Sequence, residues 1–237
     1  VVSFSQMGRY RLAKRAADEL ELSVAKHLEH MPMAASFLMS PLSYPARFGR
    51  WDQIIGHPEP KAPPAIHCFW RLLRGIAMAR AGRVDEAVAE REKYLMELGK
   101  LPSDATMGLN SAGAVLAVGT SLLDAQIAKL KGDNKGELEL LKKAVDAQDA
   151  LSYDEPPDWF YSVRETLGAA LIQAGNPAAA EKVFRKDLEL NPGNGRSLYG
   201  LSIALSKQGK KSESARVMRK FRLAWKRADS KLRLRDM

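Results

Sequence analysis

Apolar residues recur along this chain at helical spacing, in stretches parted by short turns of a glycine followed by a polar residue. Over residues 10–29, Leu12, Ala13, Ala16, Ala17, Leu20 and Val24 form one stripe, the repeat of a helix that buries a single face. Residues 135–151 do the same with Leu138, Leu141, Ala144, Val145 and Leu151. Between such stretches stand Gly8, Gly49, Gly82, Gly132, Gly175 and Gly209, where a glycine can take the left-handed backbone conformation that ends a helix. These six turns predict about six helical hairpins.

Local signals refine the picture. Pro41 and Pro45 must bend or interrupt the leading helix of the second hairpin, residues 33–55. Residues 56–67, GHPEPKAPPAIH, hold four prolines and read as an extended connector. Residues 104–131 predict one long helix capped by Ser103, on which Gly108, Gly113 and Gly119 allow a neighbour to come close. Asp158 is expected to cap a helix starting at Trp159; Asn176 is expected to cap a helix with Pro177 at its first position, and Asn194 the leading helix of the last full repeat. The tail after Ala215 reads as a long basic helix.

Residues 154–208 carry a repeat. Leu167 recurs as Leu201, Leu171 as Leu205 and Gly175 as Gly209, each pair 34 residues apart. With Tyr161 as position 1, Leu167 and Gly168 stand at 7 and 8, Gly175 at 15, Ala180 at 20, Phe184 at 24 and Pro192 at 32. That pattern resembles the tetratricopeptide (TPR) repeat. It implies an all-α fold, an α-α superhelix of the TPR-like solenoid kind, with an irregular middle because the glycine turns are spaced 41, 33, 50, 43 and 34 residues apart. The segments DEPPDW (residues 154–159), FRKDL (184–188) and PGNGRSL (192–198) further resemble the C-terminal module of a family of bacterial TPR-containing proteins. This resemblance covers the last third of the chain closely and the middle loosely, and it brings no reaction with it. The organisation expected is irregular hairpins over residues 1–55, the connector over 56–67, degenerate repeats over 68–151, and the best-matching units with a basic cap over 152–237. The first residues are Val-Val-Ser, and family members are longer, so the chain is expected to be the C-terminal part of a larger protein.

Composition narrows the function classes. At 46% hydrophobic and 27% charged, with no run of 18 consistently apolar residues, the default reading is a soluble protein without a transmembrane segment. The nearest approach, residues 105–123, is uncharged but built of small residues, as a buried inner helix would be. Cys68 is the single cysteine, so no intramolecular disulfide can form. The net charge of +9 is local: residues 207–237 hold 12 Lys or Arg against 3 Asp or Glu, and the rest of the chain is balanced.

Candidate chemistry is sparse. His27 and His30 stand three apart on one predicted helix but have no third metal ligand near them in sequence. Asp154, Glu155 and Asp158 beside Tyr153, Trp159 and Tyr161 could suggest an acid/base pair, yet nothing supplies a nucleophile or an oxyanion hole. A metal-dependent hydrolase is therefore the weakest reading, and no catalytic residue, metal or cofactor is assigned. The TPR resemblance places the leading helices on a concave groove. The residues chosen to meet a protein or peptide partner there are Trp70, Arg74, Arg80, Glu165, Gln173, Arg196, Tyr199 and Lys207. Glu165 and Ala169 occupy places where a TPR clamp for a C-terminal carboxylate would need Lys and Asn, which argues against that mode. The alternative is a polyanion, either nucleic acid or an acidic surface, bound through the basic tail from Lys207 to Arg235. Nucleic acid is disfavoured, because only Phe221 and Trp225 interleave the charges, and with Met218 they are spaced to face the preceding hairpin. Anionic lipid is a third reading of the same tail.

Overall fold

The computed structural model describes the backbone of residues 1–237 and every side chain except those of residues 32 and 33. Among the described residues it is helical apart from one two-stranded hairpin. In order come α1 (Val2–Gln6), α2 (Tyr10–His27), a 3-10 turn (Pro32–Leu38), α3 (Met39–Ser43), a second 3-10 turn (Tyr44–Phe48), α4 (Trp51–Ile55), α5 (Pro64–Arg80), α6 (Val84–Leu98), β1 (Thr106–Met107), β2 (Asn110–Ser111), α7 (Ala112–Leu130), α8 (Asn134–Asp149), α9 (Val163–Gln173), α10 (Pro177–Leu190), α11 (Gly195–Lys207), α12 (Lys211–Ala224) and a last 3-10 turn (Leu234–Asp236).

All six glycine turns take positive φ, between 64° at Gly49 and 80° at Gly82 and Gly132. Four of them join the regular TPR-like pairs α5/α6, α7/α8, α9/α10 and α11/α12, whose two helices pack on each other. Residues 32–48, with Pro41 and Pro45, break into short α and 3-10 pieces, as those prolines require. Two compact units result, Leu12–Tyr161 with Val1–Val2, and Ser162–Met237 with Ser3–Arg11.

In the first unit α7 packs against α5, α6 and α8, so Phe69, Leu72, Val115, Leu116, Val118 and Leu123 are wholly buried. By length and composition α7 could cross a membrane; here its apolar residues form this core. Residues 104–111, expected to be helical, instead form the β1–β2 hairpin around Gly108 (φ 65°), and Ser111 rather than Ser103 caps α7 by accepting from the Ala114 N–H at 3.2 Å. Asn110 explains the departure. Its amide donates to Asp158 Oδ2 (2.7 Å) and the Ser152 carbonyl (3.1 Å), and its own oxygen accepts from the Ser152 N–H (2.8 Å). Asp158 is thereby engaged with the hairpin and caps no helix. Trp159 and Phe160 enter the core in irregular backbone, both edge-on to Phe69 at 6.1 and 6.3 Å, and α9 begins only at Val163.

The second unit follows the repeat pattern closely. Leu167, Ala180, Phe184, Leu201 and Leu205 are buried, and the Phe184 ring lies against two glycines: a Cβ at Gly168 or Gly200 would fall 2.4 or 2.2 Å from it. Asn176 and Asn194 cap α10 and α11 as expected, accepting from the Ala179 and Arg196 N–H groups. The long basic helix, by contrast, stops at Ala224. Trp225 stacks on Phe221 (5.6 Å) and covers Gly8 and Gly195, where a Cβ would lie 2.4 and 2.5 Å from the indole. The chain then turns so that Asp229 accepts from the Tyr10 N–H (2.6 Å) and the Arg11 N–H (3.1 Å), while Ser230 Oγ donates to the Gly8 carbonyl (2.7 Å). These bonds satisfy donors at the start of α2 that a helix end leaves open.

Candidate functional site

The residues expected on a groove fall in both units and in unlike surroundings. In the first unit Trp70 is buried, with the Arg74 and Arg71 guanidinium carbons 4.9 and 5.5 Å from its ring centre. Arg71 donates to Glu97 (2.8 Å) and Glu90 (3.0 Å), Arg74 donates to the Ile55 carbonyl (2.8 Å), and the His67 ring nitrogens each lie 2.8 Å from a carboxylate, Glu97 and Glu59. Trp70 and Arg74 thus belong to a polar seam between α5 and α6. Arg80 lies over the Trp51 ring at 5.1 Å.

In the second unit Glu165 and Arg196 face each other. Their side chains are 1% and 5% exposed, and Arg196 Nε donates to Glu165 Oε2 at 2.7 Å. Arg196 also donates to the Asp236 carbonyl, holding the C-terminal segment. Asn194 Nδ2 bridges Glu165 (2.9 Å) and Asp187 (2.8 Å), and Ser197 Oγ donates to Asp187. Burial pushes the Asp187 carboxyl above the ordinary aspartate range, and the nearby Glu165 charge adds to the shift. The FRKDL and PGNGRSL segments therefore meet in an internal brace, and the placement of Glu165 and Arg196 on a partner-facing surface is corrected: each is the other's buried partner. Tyr199 is half-buried against Phe221 (5.2 Å), while Gln173 and Lys207 sit at the exposed C-terminal ends of α9 and α11.

Elsewhere the chemistry thins out. His27 ends α2 and His30 follows in a turn, and among the described residues no three His, Cys, Asp or Glu side chains converge as a metal site would need. Burial pushes the Cys68 thiol up to about 11, far from the thiolate that nucleophilic attack requires.

A concave surface lies in a different place. The first unit contains a cleft of about 650 Å³, walled by the 31–40 segment, the start of α5, the β1–β2 hairpin and the 154–160 loop. Its apolar lining includes Ala35, Met39, Ile66, Pro156 and Phe160, and at its mouth Phe37 and Leu109 are 51% and 71% exposed. Large apolar side chains that line a cleft and stay exposed are what a partner would cover. Every charged residue lining it is an acid: Asp154, Glu155 and Asp158. Burial raises the Asp158 carboxyl above the usual range and the Asp154 charge adds to this, opposed by the bond from Asn110. Gly108 makes the approach possible, since a Cβ there would lie 1.8 Å from Asp158 Oδ1 and 2.9 Å from Asp154 Oδ2. The DEPPDW segment stood out in the sequence, but Phe37 and Leu109, which line the same cleft, stand in irregular stretches that no periodic pattern marks.

No protein-family model matches the chain, and no curated protein matches it. Five chains of solved structures do. One of them, "MamA MSR-1 C2", is 19% identical, with the alignment covering 78% of this chain and 93% of that one at a TM-score of 0.45. No functional assignment rests on that likeness.

Proposed function

We propose that this chain is a protein-interaction scaffold whose first unit holds an extended peptide in the cleft, with an aliphatic or aromatic side chain between Phe37, Leu109 and Phe160 and a lysine or arginine beside Asp154 and Glu155. The observation that carries the reading is the lining itself: apolar walls whose charged members are all acids. Burying one large apolar side chain there is worth about 1.5–3 kcal/mol. The carboxylates add less affinity than selectivity, because an acidic residue in the same place would meet like charge. Packed hairpins give the frame, and the irregular segments set on it give the recognition surface, the usual division between scaffold and loop.

A random peptide library selected on the whole chain, with parallel selection on Phe37→Asp, tests this. Enriched peptides are expected to place Lys or Arg next to an apolar residue and to be lost on the variant. Enrichment of acidic peptides, or the same peptides on both proteins, overturns the reading.

A further inference from the structure

The second unit carries a surface of the opposite kind, and it stands independently of the cleft. The acids among residues 207–237 are already engaged: Glu213 with Arg185 (3.2 Å), Asp236 with Arg233 (2.9 Å) and Asp229 with the Tyr10 and Arg11 N–H groups. Arg216, Arg219, Lys220, Arg222, Lys226 and Arg227 are exposed, and no carboxylate lies in ion-pair range of them among the described residues. In the first unit, by contrast, Arg71, Arg91 and Lys129 each reach a carboxylate.

On α12, Arg216, Arg219, Lys220 and Leu223 are spaced at i, i+3, i+4 and i+7, so they share one face. The other face is spent internally, with Val217 buried, Phe221 on Tyr199, and Ser214 Oγ donating to the Ser202 carbonyl (2.8 Å). Leu223 is 74% exposed amid the cations. A phosphate backbone gains nothing from a leucine in that place, and the aromatics that could stack on bases, Phe221 and Trp225, pack on each other. A lipid leaflet offers both chemistries at once: anionic headgroups for the arginines and lysines, and acyl chains for the leucine.

We infer that the outer face of α12 docks on an anionic membrane surface, the cations lying among the headgroups and Leu223 entering the acyl boundary. The test is co-sedimentation of the whole chain with vesicles of phosphatidylglycerol and phosphatidylcholine, against phosphatidylcholine alone and against duplex DNA. Binding to the mixed vesicles only, weakening as salt is raised, is expected. An Arg216→Glu, Arg219→Glu, Lys220→Glu variant should lose affinity by at least the order of 100-fold. Leu223→Ala should lose roughly tenfold for vesicles and leave any binding to DNA unchanged. All of these side chains are exposed, so an unchanged helical signal by circular dichroism certifies the fold of each variant. Equal binding to both vesicle types, tighter binding to DNA than to vesicles, or vesicle binding indifferent to Leu223→Ala overturns the inference.

Discussion

Replacing Arg196 by methionine removes the cation that neutralises Glu165 in a site where the two side chains are 5% and 1% exposed. Breaking a buried pair from one side costs about 3–5 kcal/mol, because the remaining charge is left in a poor solvent. Asn194 still donates to Glu165 at 2.9 Å, which places the loss near the lower end, about 3 kcal/mol. Amide hydrogen exchange over α11 is the suitable assay, since it reports the opening of that unit by itself. A loss of that size is about a 100-fold faster exchange. Arg196→Lys keeps the charge but loses the fork that also reaches the Asp236 carbonyl, and should fall between the variant and the parent. Arg196→Met combined with Glu165→Leu leaves neither charge and should recover much of the loss. Less than tenfold faster exchange in Arg196→Met, or unchanged exchange with peptide capture abolished, would refute the brace and return Arg196 to a binding surface.

Gly200→Ala drives a Cβ to 2.2 Å from the Phe184 ring and should destabilise the second unit by about 1–3 kcal/mol, partly relieved by Phe184→Leu, in urea unfolding. Acid should act through Glu181, whose carboxyl is drawn down to about 2, chiefly by Lys210 and further by Arg185 and Gln208. Its folded value lies below the ordinary 4.5, so its contribution is complete above that pH and is lost as pH falls toward 2; Glu181→Gln should flatten stability across that window. His57 works in the opposite sense: its bond to Glu21 raises it above 6.5, so the contribution is complete below 6.5 and is lost as pH rises through the raised value, a slope that His57→Gln should remove.

Much of the fold was legible because helical repeats are local. Gly175 and Gly209 announce turns that the backbone then makes at φ 76°, and the spacing of Leu167, Ala180 and Phe184 states which face is buried. The failures share a cause in contacts between residues far apart in sequence. Residues 104–111 read as the start of the helix that follows although Thr106, Gly108 and Asn110 are weak helix formers, and Asn110 is claimed by Ser152 and by Asp158, 48 residues away. The basic tail has no helix breaker near Ala224, yet Trp225 and Asp229 leave the helix to cover Gly8 and the start of α2, with Tyr10 and Asp229 219 positions apart in sequence. Repeat position alone put Glu165 and Arg196 on a groove; nothing in a one-dimensional pattern shows that two charges 31 residues apart neutralise each other. The cleft was missed for a similar reason, since its walls come from the irregular segments that a periodicity search passes over.

The measurement that bears most directly on the proposed function is the affinity of a selected apolar-cationic peptide for four proteins: the parent chain, Phe37→Asp, an Asp154→Asn, Glu155→Gln pair, and a Tyr199→Ala, Lys207→Ala pair. The cleft reading predicts a loss on the order of 100-fold for Phe37→Asp, where an apolar contact becomes a charge. It predicts roughly tenfold for the carboxylate pair and no change for the Tyr199 and Lys207 pair. Full affinity in the first two variants, with loss confined to the last, would contradict it and move the binding surface to the leading helices of the repeats.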